Sequence, residues 1–182
     1  MSPAEIVATQ QAMVMEVDLD AFNAEQFALM QRKEALASYI ASTYRRPLSE
    51  TKKIVNHAWK AGERHGVDPI LLLSIAAVES SFNPQAVSSA GAKGLLQALP
   101  RAHPEKFARL QEQGRSPFDP EASLDLGGQI YAEYRARFKG DRVRALQQYN
   151  GSLKDPTRRY SNKVLRMYQS LNALAPPSRG DA

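Results

Sequence analysis

Residues Ile70 to Val78 form an apolar run broken only by Ser74, and this run decides most of what the chain can fold into. A bilayer crossing needs roughly 20 such residues, so the segment belongs inside a protein core. Asp68-Pro69 stands immediately before it, pairing an N-cap carboxylate with proline at the first helical position. The spacing therefore predicts a helix that is apolar nearly all round, which is stable only when other elements bury it. Ser80-Ser81-Phe82-Asn83-Pro84 closes it, because proline disfavours helical geometry in the residue before it. A polar, glycine-punctuated loop from Gln85 to Gly94 follows.

Helical patterns surround this segment. Phe27, Leu29, Met30, Leu36, Tyr39 and Ile40 recur at helical spacing between Asn23 and Tyr44, and Arg45-Arg46-Pro47 ends the pattern. Ser49 is placed to cap a second helix carrying Ile54, Val55, Ala58 and Trp59 on one side, with Gly66 closing it. Further helices are predicted over Pro120–Phe138, Asp141–Tyr149 and Arg159–Leu174. The first 20 residues show no firm periodicity and read as a loosely held arm. The tail Pro176-Pro177-Ser178-Arg179-Gly180 reads as disordered. No segment alternates like a strand and no internal repeat is visible. The expected architecture is all-α: an N-terminal arm and helix over 1–47, one main domain over 48–175 and a tail over 176–182. A chain of 182 residues with 43% hydrophobic content suffices for one such core.

The chain has no cysteine, which excludes disulfides and thiolate metal sites and leaves the redox compartment open. Met1-Ser2-Pro3-Ala4-Glu5 lacks the basic start and apolar stretch of a secretory signal. The formal charge of +5 is uneven: residues 1–36 hold six acidic and two basic side chains, and residues 133–166 hold ten basic and three acidic. Such a basic half suits a polyanion, whether nucleic acid, an anionic membrane surface or a carboxylate-rich cell wall.

Glu79 is the most unusual residue, a carboxylate ending an otherwise apolar helix. Desolvation raises a carboxyl pKa, which keeps a glutamic acid protonated near neutral pH and able to give a proton to a leaving oxygen. That is the chemistry of glycosidic bond cleavage. Ordinary glycosidases pair two carboxylates, yet between Asp68 and Glu105 the only one is Glu79.

Glu79-Ser80-Ser81-Phe82-Asn83-Pro84, followed by Ser88-Ser89-Ala90-Gly91-Ala92-Lys93-Gly94-Leu95-Leu96-Gln97-Ala98-Leu99-Pro100, resembles the signature of the Slt-type lytic transglycosylases. Tyr149-Asn150-Gly151-Ser152 and Tyr160-Ser161-Asn162-Lys163-Val164 resemble the later Tyr-Asn-Ala-Gly motif and closing tyrosine helix of that family. The resemblance spans Leu48 to Leu171. It implies a lysozyme-like fold, with 48–175 as the catalytic domain, and cleavage of the β-1,4 bond between N-acetylmuramic acid and N-acetylglucosamine without added water. The product would carry a 1,6-anhydromuramyl end. Glu79 would act first as acid and then as base. Ser88 would bond a substrate acetamido group, Gln97 would bond the sugars or orient Glu79, Tyr149 would face the acid across the cleft, Asn150 would support its loop, and Tyr160 would form cleft wall or packing. Two positions depart from the family pattern: Gly151-Ser152 shifts the glycine of the Tyr-Asn-Ala-Gly loop, and Leu96 replaces a methionine, an exchange that preserves volume.

Peptidoglycan glycan strands are thus the expected substrate, in the periplasm or cell envelope, with no cofactor and a monomeric state. A secretion or appendage machine spanning the envelope is a further expected partner. Competing readings are a goose-type lysozyme, which adds water, and a weakly active sugar-binding module. Gly91-Ala92-Lys93-Gly94 imitates a phosphate loop, but the Gly-Lys-Ser/Thr ending and preceding strand are missing, and nucleic acid is not an expected partner. His57, His65 and His103 are not spaced as metal ligands, so no metal is expected.

Overall fold

Asp68 caps the central helix as its sequence predicts, its Oδ1 accepting from the Ile70 amide at 2.8 Å with Pro69 in the first turn. In the computed structural model, which describes the backbone of residues 3–174 and the side chains of Glu5 and 18–174, seven α-helices are built around it. They are α1 (Pro3–Tyr44), α2 (Leu48–His65), α3 (Pro69–Ser80), α4 (Pro104–Glu112), α5 (Pro120–Arg137), α6 (Arg142–Tyr149) and α7 (Arg159–Leu174), with a 3-10 turn over Pro100–Ala102 before α4. No strand occurs among the described residues, only two isolated bridges, Val87 with Lys93 and Lys93 with Ala98.

The apolar run does what its composition demands. Ile70 through Ala77 are all buried, Ser74 included, whose hydroxyl donates to the Ile70 carbonyl at 2.6 Å. α3 packs on α2, α7 and α5, α2 packs also on α1 and α5, and α6 bridges α5 and α7. One core therefore runs from Leu36 and Ile40 of α1, through α3, to Val164 and Leu171 of α7. A smaller cluster of Ala98, Leu110, Ala122, Leu126 and Ile130 lies beneath α4 and α5.

Two expectations are corrected. The loose arm is instead the first half of α1, because nothing between Pro3 and Tyr44 interrupts a helix: the segment has no glycine and no further proline. Extending a helix already docked at one end costs little, even without an amphipathic stripe. Ser49 does not cap α2. The helix starts two residues earlier than a Ser49 cap would set it, Pro47 holds the cap position without a side-chain bond, and its carbonyl receives the Glu50 and Thr51 amides. The 3-10 turn and α4 leave little mark on the sequence, since α4 is nine residues long and buries only Leu110. Gly66 closes α2 in the left-handed conformation, φ +63°, as expected. The predicted disordered tail lies outside the described residues.

Candidate active site

The site grows from the way α3 stops. Ser81 and Phe82 both adopt left-handed backbone, φ +49° and +58°, so the chain reverses at once and Phe82 folds underneath the helix it has just left. Its ring is fully buried and meets Tyr44 edge-on, with centroids 4.9 Å apart. This reversal, more than Pro84, terminates α3 and leaves Glu79 in its last turn. Burial pushes the Glu79 carboxyl above its ordinary value, and the Tyr160 hydrogen bond and the Lys163 charge oppose the rise without cancelling it. The position adds to the effect, since the C-terminal turn of a helix carries partial negative charge that disfavours an anion.

Tyr160, expected to form cleft wall or packing, is the direct partner of the acid. Its hydroxyl donates to Glu79 Oε1 at 2.6 Å. It sits in the first turn of α7, which packs along α3, and burial followed by the nearby Glu79 charge pushes its phenol well above the ordinary range. Lys163, three residues on and so on the same helix face, supplies positive charge that acts on the acid. The Tyr160–Lys163 spacing is visible in the sequence, but its relation to Glu79 is not.

Tyr149, at the end of α6, is the third member of the group. Its phenol is also pushed well up, by burial and then by Glu79, and it donates to the Leu96 carbonyl at 2.7 Å. This bond needs α5 very close, which Gly127 permits: a Cβ there would come within 2.3 Å of Leu96 Cδ1 and 2.9 Å of the Tyr149 hydroxyl. Leu96, where the family pattern has methionine, is fully buried, and its amide donates to Ser123 Oγ at 3.3 Å.

The loop from Ala86 to Ala98 is pinned from within. The Ser88 hydroxyl accepts from the Ala92 amide at 3.0 Å, while the Ser88 amide donates to the Ala92 carbonyl. Gln97 donates its side-chain amide to the Ala86 and Gly94 carbonyls at 3.0 and 2.9 Å. Its nitrogen thus braces the loop, and no bond from it to Glu79 occurs among the described residues. Gly94, φ +77°, is wedged so tightly that a Cβ would lie 2.1 Å from the Pro117 carbonyl oxygen. Asn150 is exposed, and the support expected from it comes instead from Gln147. That buried side chain donates to the Ser152 and Asp155 carbonyls at 3.3 and 2.8 Å and ties down the loop that contains the shifted glycine. A polar residue inside a short helix gave no signal of this.

The structure thus brings Glu79, Tyr149 and Tyr160 together, sets Ser88 and Gln97 in the loop that meets Tyr149 through Leu96, and leaves Asn150 at the rim. Residues 56–167 match the family model of the transglycosylase SLT domain. The chain belongs to this family. As an SLT domain it is 32% identical over 129 residues to a membrane-bound lytic murein transglycosylase C of Sodalis glossinidius (strain morsitans), covering 64% of this chain and 36% of that protein. It is 29% identical over 136 residues to the protein of the same name from Salmonella typhi, covering 68% and 38%. The chain therefore spans little more than a third of the length of these relatives. Its fold matches the 70 kDa soluble lytic transglycosylase SLT70 of Escherichia coli with a TM-score of 0.57 at 19% identity, over 78% of this chain and 30% of that one. It matches an inactive mutant of Pseudomonas aeruginosa Slt with a TM-score of 0.56 at 20% identity, over 67% and 25%. The all-α, lysozyme-like SLT fold is the one the sequence predicts. No described helix is long and apolar enough to cross a membrane.

Proposed function

We propose that this SLT domain cleaves the glycan strands of peptidoglycan without water, leaving 1,6-anhydromuramyl ends. The observation that carries the reading is Glu79: a carboxyl raised by burial, hydrogen-bonded to a buried tyrosine, with a lysine as the ionised group acting on it and no carboxylate among the described residues doing so. A retaining or inverting hydrolase needs two carboxyl groups within roughly 10 Å of one another. One carboxyl suffices when the nucleophile belongs to the substrate.

The protonated Glu79 gives its proton to the oxygen between N-acetylmuramic acid and N-acetylglucosamine, and that C–O bond breaks. The acetamido oxygen of the muramyl sugar stabilises the developing positive charge at C1. Glu79, now a carboxylate, takes the proton from the muramyl C6 hydroxyl as its oxygen attacks C1, which closes the anhydro ring and returns the acid to its starting form. Tyr160 holds Oε1 throughout, leaving Oε2 for the proton that moves. Tyr149 and the Ser88–Gln97 loop form the wall against which the acetamido sugars lie. This activity places the protein in the periplasm or cell envelope, where local opening of the wall would serve an envelope-spanning machine.

Mass spectrometry of the soluble products from purified peptidoglycan tests the reading. Wild type should release anhydromuramyl fragments and Glu79→Gln, which keeps the shape and removes the proton donor, should release none. Reducing ends would mean hydrolysis, and an inert wild type would remove the catalytic reading altogether.

A further inference from the structure

Opposite the acid, at the other end of α3, the protein carries a groove that the proposed chemistry does not use. Glu79 lies in the last turn of α3 and Asp68 caps its first, and a rise of about 1.5 Å per residue puts the two regions roughly 16 Å apart. The groove has a volume of about 700 Å³ and runs between α1, the end of α2, the start of α3 and the end of α7. Leu29, Trp59, Pro69 and Ile70 give it an apolar lining, and Glu25, Glu63 and Asp68 give it negative charge against the single base Arg32. Arg32 is engaged with Asn172 at 2.7 Å, and the neighbouring Lys33 lies over the Trp59 ring at 5.3 Å.

α1 continues this surface beyond the domain. Leu36 and Ile40 are fully buried, and counting back in two steps of seven and one of three places Leu29, Phe22 and Leu19 toward the same side of the helix. Leu19 and Phe22 are more than half exposed, and Met30 and Phe27 beside them equally so. This side of α1 is thus covered by the protein's own core at its C-terminal end and by nothing among the described residues farther back. Acids interleave with the uncovered part: Asp18, Phe22, Glu25 and Leu29 follow one another at helical neighbour spacing. Residues 1–31 contain five acids and no base, within a chain whose net charge is +5.

We infer that this face and the groove it leads into form a docking site for a basic amphipathic helix of a partner protein, with its apolar stripe on Phe22 and Leu29 and its Lys and Arg side chains against Asp18, Glu25, Glu63 and Asp68. A second copy of the chain pairing α1 on α1 is disfavoured by the same charges, which would set acid against acid along the contact. A helix lying in an apolar groove with charges matched at its flanks is a recurrent recognition mode, and a partner helix of about 20 residues would span the roughly 15 Å of uncovered α1 from Leu19 to Leu29 and run on into the groove.

Trp59, the only tryptophan, reports on the groove directly. The test is a fluorescence titration with a synthetic helical peptide of about 20 residues carrying leucine in heptads and lysine at the flanks, beside a matched peptide with glutamate for lysine. The lysine peptide should bind, ever more weakly as salt rises, and the glutamate peptide should not. Phe22→Ser and the double substitution Asp18→Lys, Glu25→Lys alter exposed side chains and should leave the circular dichroism unchanged, while each weakens binding by about tenfold or more. Equal binding of both peptides, no binding of either, or variants that bind like wild type would overturn the proposal. So would sedimentation showing a wild-type dimer that Phe22→Ser splits, since the occupant would then be a second copy.

Discussion

Replacing Tyr160 with phenylalanine removes one oxygen and nothing else from the group around the acid. That oxygen donates to Glu79 Oε1 at 2.6 Å, the short range of a hydrogen bond to a charged acceptor. Such bonds contribute about 1.5–3 kcal/mol, and here the contribution favours the carboxylate, opposing the upward push of burial. In Tyr160→Phe only burial and Lys163 remain, so the carboxyl should hold its proton to higher pH. For a general acid, activity falls as pH rises through its titration, and the alkaline limb of the pH–rate profile reports it. The limb of the variant should therefore move to higher pH. At a fixed pH on the wild-type limb, activity relative to each enzyme's own plateau should be about tenfold or more higher in the variant, since 1.36 kcal/mol is a factor of ten. The plateau itself should fall, because a weaker acid protonates the leaving oxygen less readily. The assay is the release of anhydromuramyl fragments followed across pH. An alkaline limb that stays in place, or moves to lower pH, would refute the claim that Tyr160 tunes Glu79; a mere loss of packing would lower the plateau without moving the limb.

Glu79→Gln also bears on stability. Because the folded-state pKa of Glu79 is raised, the wild type enjoys its full stability below the unfolded value near about 4.3 and loses part of it as pH rises through the folded value. Glutamine does not titrate, so the variant should gain in Tm over wild type on going from pH 4 to pH 7, by about 2–4 °C for each kcal/mol relieved; a difference that is flat or shrinks with pH would refute this. Gly94→Ala forces a Cβ to 2.1 Å from the Pro117 carbonyl oxygen and 2.7 Å from Ser123 Oγ at φ +77°. Left-handed backbone and overpacking together should cost about 2–5 kcal/mol, lowering Tm by roughly 10 °C in a calorimetric scan, and an unchanged Tm would mean that the loop does not depend on this close approach.

The sequence made α3 and its cap, and the extents of α5, α6 and α7, legible because each is announced by local chemistry: Asp68-Pro69, Asp119-Pro120, Asp141 and the periodic stripe of α7. All three aspartates accept bonds from amides of the helices they cap. Glu79 was legible for a different reason, as the one ionisable group at the end of an apolar run. What stayed hidden depends on residues far apart in the chain. Tyr160 is 81 positions from the carboxylate it bonds, and a tyrosine opening an amphipathic helix reads as packing until α7 is laid along α3. Gln147 holds backbone carbonyls that only the folded loop presents. The first half of α1 was missed because its backbone continuity has no periodic stripe to announce it, only the absence of breakers.

The contact between Tyr44 and Phe82 separates two units that are easily confused. The family match begins at residue 56, but Phe82, three residues after the acid, rests on a ring from α1, and Leu36, Ala37 and Ile40 have essentially no exposed surface. The unit of kinship is therefore shorter than the unit that must fold. A gene fusion or expression clone cut at the edge of the matched residues would bare an oily seam along α2 and α7 and withdraw the cushion under the turn that follows Glu79. Cut points for transplanting this domain belong upstream of Leu36.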